Sequence, residues 1–285
     1  MRILALTSGT LACFAANSLL CRGALGPRLV DPATFTALRL GAGALVLVAL
    51  AGPRRAARQG DWSSALTLIA YAVAFSLAYE RVQAGPGALL LFGAVQITMV
   101  GWGIATGGRP TPIQWLGMAL ALAGLAHLTL GSAHAPDTAG AALMVVAGVA
   151  WGIYSLRGRG VADPLGTIAG QFLRAAPLAL LPLLALAIAG AGSLHATATG
   201  AGLAIASGAI ASAGGYVAWY AVVPSLGATR AAAVQLAVPV IAALAAVGLL
   251  GEPLTLRLAS SAAVILSGVA LAVVLPALGR PPARG

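Results

Sequence analysis

Two arginines lie inside apolar segments of this sequence, where a charged side chain is costly. Arg39 falls within the run TALRLGAGAL and Arg174 within GQFLRAAPLAL. An arginine at the centre of a bilayer costs about 2.5–3.5 kcal/mol on insertion scales, so we expect a compensating partner. Either side chain could bind a carboxylate or act in gating from a wet cavity. The structural alternative is that Arg39 extends to the membrane interface, or that both arginines bond main-chain carbonyls.

A second group of candidates consists of polar and aromatic side chains near the middle of apolar segments. In two places such residues recur four positions apart, which puts them on one face of a helix. These stripes are Tyr71, Phe75 and Tyr79, and Ser212, Tyr216 and Tyr220. Further candidates for the wall of a binding cavity are Asn17, Gln96, Trp102, Trp151, Trp219 and Gln235. The alternatives are hydrogen bonds between helices for the amides, and membership of aromatic belts for the rings near segment ends, which are Tyr79, Trp102, Trp219 and Tyr220.

Enzyme motifs are absent from the sequence. It contains no Gly-x-Ser-x-Gly, no P-loop and no His-Glu-x-x-His motif. The three histidines are too scattered for a metal site, and Cys13 and Cys21 do not have CxxC spacing. We therefore expect neither catalysis nor a bound metal or cofactor.

The composition predicts a membrane protein. The 285 residues are 60% hydrophobic and 8% charged, whereas a soluble domain is about a quarter charged. The net charge of +10 comes from arginines that stand singly or in short runs, without the basic, aromatic-rich face of a nucleic-acid binder. We therefore expect the lipid bilayer as surroundings and no nucleic-acid partner.

Charges, prolines and glycines divide the chain into apolar segments near the ~20 residues that cross a bilayer as a helix. The ten predicted spans are 3–21, 33–51, 62–80, 85–106, 112–131, 139–156, 164–189, 198–222, 229–249 and 254–277. Pro177 and Pro182 should kink or tilt the seventh helix, and Pro239 should bend the ninth. The predicted fold class is an all-α membrane protein with ten transmembrane helices.

The arginines also predict the orientation of the chain. With the amino terminus inside, ten arginines fall on the cytoplasmic side and four on the opposite side. Because positive residues are enriched in cytoplasmic loops, both termini and the loop at 52–61 should be cytoplasmic, and the loop at 131–138 external.

The two halves of the chain resemble each other. GGRPTPIQWLG at 107–117 aligns with LGEPLTLRLAS at 250–260, an offset of 143 residues, and the same offset aligns 85–91 with 228–234. Residues 1–131 and 139–277 would then be two repeats of five helices each. Since five is odd, the second repeat enters the membrane from the opposite side and the repeats are inverted.

Several strings are more specific than the apolar pattern. They are the arginine early in the second helix of each half, LAVPVIAALAAVGLLGEPLT at 236–255 and the closing ILSGVALAVV. With these strings the whole chain resembles the EamA family of the drug/metabolite transporter superfamily. The first half departs from the pattern, since Gln96 stands where Pro239 would project and Arg109 where Glu252 would.

The resemblance implies alternating access and export of small metabolites, with amino acids, aromatic or neutral, as the expected substrates. A proton-coupled or cation-exporting protein usually has a carboxylate in the spanning region. None of the six acids is clearly that deep. Glu80 is the best candidate for sensing a proton or a cation, and a salt bridge to Arg81 or Arg257 is its structural alternative. Efflux of cationic drugs and a non-transporting scaffold remain the rival functions, and the oligomeric state is open.

Overall fold

A computed structural model describes residues 2–82, 84–129, 137–189, 194–250 and 254–273. The helices in these ranges are α1 (Arg2–Leu25), α2 (Pro32–Ala51), α3 (Pro53–Arg58), α4 (Trp62–Tyr79), α5 (Ala84–Ala105), α6 (Pro112–Thr129), α7 (Thr138–Arg157), α8 (Pro164–Leu178), α9 (Leu180–Ala189), α10 (Ala198–Ala206), α11 (Ala213–Gln235), α12 (Val238–Leu250) and α13 (Leu256–Val273). A π-helical segment, Ser207–Ser212, joins α10 to α11. Glu252 and most of the predicted external loop at 131–138 lie outside the described residues.

Many of these helices are long enough to span a membrane. Within the described ranges, eight helical runs are long and apolar enough to cross a bilayer. A shorter apolar helix covers Pro112–Leu128. One of the eight runs, Ala198–Gln235, contains Gly227 with a φ of 71° and a ψ of 169°, so its helix is broken there. The prediction of an all-α, multi-pass membrane protein is confirmed.

Prolines interrupt two helices where the sequence predicts a bend. α8 continues through Pro177 and ends at Leu178, whose carbonyl Pro182 cannot bond, and α9 begins at Leu180. α11 ends at Gln235, and α12 begins at Val238. Pro239 explains the second break, because it has no N–H to bond the carbonyl of Gln235 and its ring clashes with that carbonyl.

Aspartates begin four of the helices. Asp31, Asp61, Asp137 and Asp163 each accept a hydrogen bond from the main-chain N–H three residues ahead. An acidic N-cap satisfies an otherwise unpaired donor and interacts favourably with the helix dipole. These carboxylates therefore lie at helix ends and not at mid-depth.

Contacts between helices of the two halves occur in matching pairs, in which the two halves have exchanged roles. The contact of α4 with α7 matches that of α1 with α11, and the contact of α5 with α7 matches that of α1 with α12. Two further close contacts join α2 to α8 and α6 to α13. In the last pair a Cβ on Gly117 would lie 2.5 Å from the carbonyl oxygen of Gly268, and the reverse distance is also 2.5 Å. Glycine is required at this crossing because the two backbones touch.

Ion pairs join the halves at both ends of the bundle. At one end, here called the Arg55 end, the segments 52–61 and 157–163 meet through the pairs Arg55–Asp163 at 2.6 Å and Arg157–Asp61 at 2.9 Å. At the other end, the Arg81 end, Arg81 lies 3.4 Å from Asp137. The backbone of 29–31 also pairs with that of 195–197 at the Arg81 end.

Candidate functional site

Aromatic rings from α1, α4, α7 and α11 meet at the centre of the bundle. The ring of Trp151 lies 4.9 Å from that of Tyr216, 5.1 Å from that of Tyr71 and 5.2 Å from that of Phe14, measured between centroids. Tyr154 stacks on the same ring at 5.7 Å. The two stripes found in the sequence thus converge on one tryptophan. Such ring pairs contribute about 0.5–1.5 kcal/mol each beyond the area they bury.

A cavity of about 30 Å³ adjoins this cluster. Its lining consists of Phe14, Asn17, Ser18, Tyr71, Phe75, Leu91, Phe92, Trp151, Tyr216, Gln235 and Val238. A water molecule needs roughly 10–15 Å³ of such volume, whereas ligand pockets measure about 300–1,000 Å³. The cavity therefore has room for water but not for an organic solute. A solute could enter only if the surrounding rings moved apart.

Arg39 lies behind the tyrosines of this cavity and is 1% exposed. Its Nε donates to Ser212 Oγ at 3.0 Å, and its Nη2 donates to the hydroxyl oxygen of Tyr216 at 2.7 Å. The guanidinium carbon lies 5.5 Å from the centre of the Tyr71 ring, a cation–π distance. Nη1 is buried and has no hydrogen-bond partner among the described residues. The two stripes are therefore linked through one buried cation.

The segment Ser207–Ser212 shapes the surroundings of Arg39. Ser212 bonds the Nε of Arg39, and Ser207 donates to the side-chain oxygen of Asn17 at 2.6 Å. A Cβ on Gly208 would collide with the carbonyl oxygen of Arg39, so only glycine fits between the two backbones. Single π-helical turns inside α-helices occur frequently at functional sites.

Two buried amides hold the region where α11 ends. Gln235 accepts a hydrogen bond from Trp151 Nε1 at 2.6 Å and donates to the carbonyl of Ala231 at 3.0 Å. Gln96, on α5, donates to the carbonyl of Ala232 at 2.7 Å, while its Oε1 is buried without a partner. Gln235 lines the cavity. Gln96 does not, and its side chain connects α5 to α11.

A sealed layer separates the cavity from the Arg55 end. The hydroxyl of Tyr154 donates to Gln171 Oε1 at 2.7 Å, and that of Tyr220 donates to the carbonyl of Tyr154 at 2.8 Å. Trp219 Nε1 donates to Ser155 Oγ at 3.0 Å. All of these side chains are buried. A solute could pass towards the Arg55 end only after this layer opened.

Charged groups form a second layer outside the first. Arg157 donates to Ser64 Oγ at 2.6 Å and to Asp61, and its Nη2 also contacts Ser63. Burial by itself raises the pKa of the Asp61 carboxyl. Hydrogen bonds from Ser63 and Ser64 and the charge of Arg157 lower that pKa by a larger amount, so the pKa is well below its usual value. The hydrogen bond from Arg55 likewise lowers the pKa of Asp163. Both carboxylates are therefore ionised at neutral pH.

Other predicted site residues lie away from the cavity. Tyr79 is half-buried and packs edge-on against Phe75 at 4.7 Å, while Trp102 is 54% exposed on the outside of α5. Trp219 belongs to the sealed layer. Glu80 is exposed at the end of α4.

Arg174 has a different environment from Arg39. Its Nη1 donates to the carbonyls of Gln59 and Gly170 at 2.8 Å, and its Nη2 donates to that of Ala57 at 3.0 Å. The side chain is half-buried and lies 5.9 Å from the Trp62 ring centre at the Arg55 end. These contacts are those of the structural alternative, and they hold the segment 57–59 against α8.

Sequence reasoning overlooked two phenylalanines of the cavity wall, Phe14 and Phe92. Phe14 precedes Asn17 by three residues, and Phe92 precedes Gln96 by four. Each therefore shares a helix face with an amide that was a candidate. A search of the faces around those amides could have found both.

Two similarities identify the family. Residues 138–274 match the EamA-like transporter family. The chain is also 48% identical to "Uncharacterized protein PA1977" of Pseudomonas aeruginosa (strain ATCC 15692) over 287 residues, which cover 100% of this chain and 98% of that protein. The chain belongs to the EamA-like transporter family. The family expected from the sequence is thereby confirmed.

The fold of this EamA-like family member has a counterpart of known structure. A protein with a crystal structure superimposes with a TM-score of 0.79 over 98% of this chain and 99% of that one, at 19% sequence identity. At this identity the similarity concerns the fold alone. For a member of a transporter family, a mainly aromatic cavity between helices of the two halves is the candidate place for a transported solute.

Proposed function

We propose that this protein exports small metabolites, chiefly amino acids with neutral or aromatic side chains, across a bacterial inner membrane by alternating access. The observation that supports this proposal best is the cavity around Trp151, Tyr71 and Tyr216, which lies between the halves and is closed towards the Arg55 end. In alternating access the halves rock around such a site and expose it to one side at a time.

The architecture we propose is ten transmembrane helices in two inverted repeats, residues 1–131 and 139–277. The break at Gly227 supports the count, because it divides the run Ala198–Gln235 into the eighth helix and the start of the ninth. The exchanged packing of α4 on α7 and α1 on α11 also supports it. A two-fold axis in the membrane plane between inverted repeats would relate such pairs.

The chemistry of the cavity suits an amino acid. A zwitterion crossing the membrane must keep both charged ends solvated, which requires hydroxyls, amides or water. Asn17, Tyr71, Tyr216 and Gln235 bring such groups to the cavity, and Trp151 offers a ring face for an apolar side chain. Binding sites for small molecules combine these two features.

The charges of the described residues favour a neutral or zwitterionic solute over a cationic drug. A cation in the membrane interior is usually paired with a buried acid. Asp31, Asp61, Asp137 and Asp163 cap helices, and Glu80 is exposed at the end of α4. We therefore propose transport down the gradient of the solute, without an imposed pH gradient.

The orientation we propose places both termini in the cytoplasm and the Arg55 end on the cytoplasmic side. This end carries a cluster of positive charge made of Arg54, Arg55, Arg58, Arg109, Arg157 and Arg159. Positive residues in short loops mark the cytoplasmic side of a membrane protein.

Counterflow in liposomes tests the proposed function. Purified protein is reconstituted and loaded with amino acids, nucleosides or cationic dyes, and the uptake of labelled compound is followed at equal pH on both sides. We expect exchange of aromatic or neutral amino acids and none of cationic dyes. The combined Tyr71→Ala and Tyr216→Ala variant should lose exchange, and the lipid-facing control Leu45→Ala, at a site 76% exposed, should keep it. Wild-type rates in an inserted double variant would contradict the site.

A further inference from the structure

We propose that Arg39 is the binding group for a carboxylate of the transported solute, so that a solute must carry an anionic group to be recognised. This inference rests on the proposed export function and names the substrate class of the same cavity. The guanidinium group of Arg39 contacts the two cavity tyrosines, Tyr71 and Tyr216, on the side away from the cavity.

The charge of Arg39 is not balanced by an acid among the side chains that it contacts. The side chain is 1% exposed, and the groups it contacts are Ser212, Tyr216 and Tyr71, all of them neutral. The five acids of the described ranges lie at helix ends. A buried cation without a counter-ion is costly, and a solute that supplies the counter-ion gains the attraction that the protein leaves unused.

Arg39 also has one unused hydrogen-bond donor, its Nη1. Nε and Nη2 are bonded, whereas the buried Nη1 has no partner among the described residues. A buried donor without an acceptor is unfavourable and usually signals a missing partner. A carboxylate oxygen is the acceptor that best fits a guanidinium N–H.

Arg39 lies one side chain away from the cavity. Tyr71 and Tyr216 both contact Arg39 and both line the cavity, so they separate the guanidinium from it by one side chain. The hydroxyl oxygen of Tyr216 accepts from Arg39, which leaves its own proton for an acceptor in the cavity. A solute carboxylate could accept from this hydroxyl and, after Tyr71 moves aside, from Nη1.

The local backbone holds the guanidinium in this position. Ser212 fixes Nε from the π-helical segment, and Gly208 lets that segment touch the backbone at Arg39. Arg174 offers the contrast, because its nitrogens bond three main-chain carbonyls at the Arg55 end. Both Nη atoms of Arg174 thus have acceptors, whereas Nη1 of Arg39 has none among the described residues.

A set of related compounds tests the inference on the wild-type protein. Counterflow of labelled phenylalanine is measured with 3-phenylpropionate, which has the carboxylate without the amine, and with 2-phenylethylamine, which has the amine without the carboxylate. We expect 3-phenylpropionate to inhibit at least tenfold more strongly than the amine. Equal inhibition by the amine would overturn the role of Arg39 while leaving export intact. Absence of exchange for every compound in the wider panel would contradict the proposed function itself.

A binding measurement separates the inference from transport. The thermal unfolding of the detergent-solubilised protein is followed with 3-phenylpropionate, with 2-phenylethylamine and with sodium chloride at equal ionic strength. We expect stabilisation by the carboxylate and not by the amine. If chloride stabilises equally and abolishes the effect of 3-phenylpropionate, Arg39 holds an inorganic anion and the inference fails.

Variants assign the effect to Arg39. Arg39→Gln removes the charge and keeps an amide donor, and we expect the tenfold preference for the carboxylate to fall to about one, while Arg39→Lys keeps part of it. The matched control is Arg174→Gln, which removes the arginine at the corresponding place in the second half of the sequence and should leave the preference unchanged. An unchanged preference in Arg39→Gln would overturn the inference. If this variant does not fold, the comparison of compounds on the wild type still decides.

Discussion

Trp151 Nε1 donates a hydrogen bond of 2.6 Å to Gln235 Oε1, and this bond ties α7 to the last residue of α11, immediately before the helix breaks. The break itself is caused by Pro239, which cannot bond the main-chain carbonyl of Gln235. A side chain of the cavity is therefore held by the part of the ninth apolar segment where the helix is interrupted.

Replacement of Gln235 by leucine should destabilise the protein. The buried Trp151 N–H would lose its acceptor, which costs about 1–3 kcal/mol. We expect a lower midpoint in thermal unfolding in detergent and weaker transport. The double variant Trp151→Phe, Gln235→Leu removes both partners and should recover part of the lost stability. A double variant that is less stable than the sum of the single changes would contradict this role for the bond.

Truncation of the cavity tyrosines should weaken the apparent affinity for the solute. Tyr71→Ala and Tyr216→Ala each remove a ring face and a hydroxyl, worth about 1–2 kcal/mol, or about 5- to 30-fold in affinity. Concentration dependence of counterflow measures the effect. Trp102→Ala is the matched control, because its ring is 54% exposed on the outside of α5 and should not affect the affinity. Equal effects of all three changes would show that the rings act only in packing.

Neutralising the two acids at the Arg55 end should open that end more often. Asparagine retains the N-cap of α4 and α8, so Asp61→Asn and Asp163→Asn remove the charge alone. Exposed ion pairs are individually weak, so we expect an increase of about two- to fivefold. The measurement is the labelling rate of a cysteine placed at Ser155, in a chain without Cys13 and Cys21, by an impermeant maleimide. Asp137→Asn, at the Arg81 end, should not increase labelling.

The same closure should be independent of pH over the neutral range. The pKa values of Asp61 and Asp163 are lowered in this arrangement. Carboxyls with lowered pKa stabilise the paired state above their ordinary pKa of about 4, and the stabilisation is lost as pH falls through the lowered values. Because maleimides react with the thiolate, the labelling rate of the Ser155→Cys thiol is divided by that of an exposed Arg58→Cys thiol at each pH. This ratio should be constant from pH 8 to pH 5. A rise in the ratio between pH 7 and pH 5 would point to another titrating group.

The proposed orientation predicts which positions an external reagent reaches. In a background without Cys13 and Cys21, Arg58→Cys at the Arg55 end should be labelled only from the cytoplasmic side, and Leu194→Cys at the Arg81 end only from outside. A cysteine in the segment 131–136 should behave like Leu194→Cys. Labelling of that segment from the cytoplasmic side would contradict the inverted-repeat architecture.

Much of the fold could be predicted from the sequence because its causes are local. Apolar length gives the helices, the aspartates mark four helix starts, and Pro182 and Pro239 mark the interruptions. The periodicity also shows which residues share a face, as for Tyr71 and Phe75. These properties depend on neighbours within one or two turns, so they can be read from a single segment.

The tertiary structure alone decided which of these faces meet. The two arginines look alike in the sequence, yet Arg39 is enclosed by Ser212 and Tyr216 from the other half, while Arg174 bonds the carbonyls of a loop. Gln96 and Trp102 are both on α5. Because α11 packs against only one face of α5, Gln96 is buried and bonded to α11, whereas the Trp102 ring is exposed. Such contacts join residues more than 100 positions apart, and local periodicity carries no information about the partner of a face.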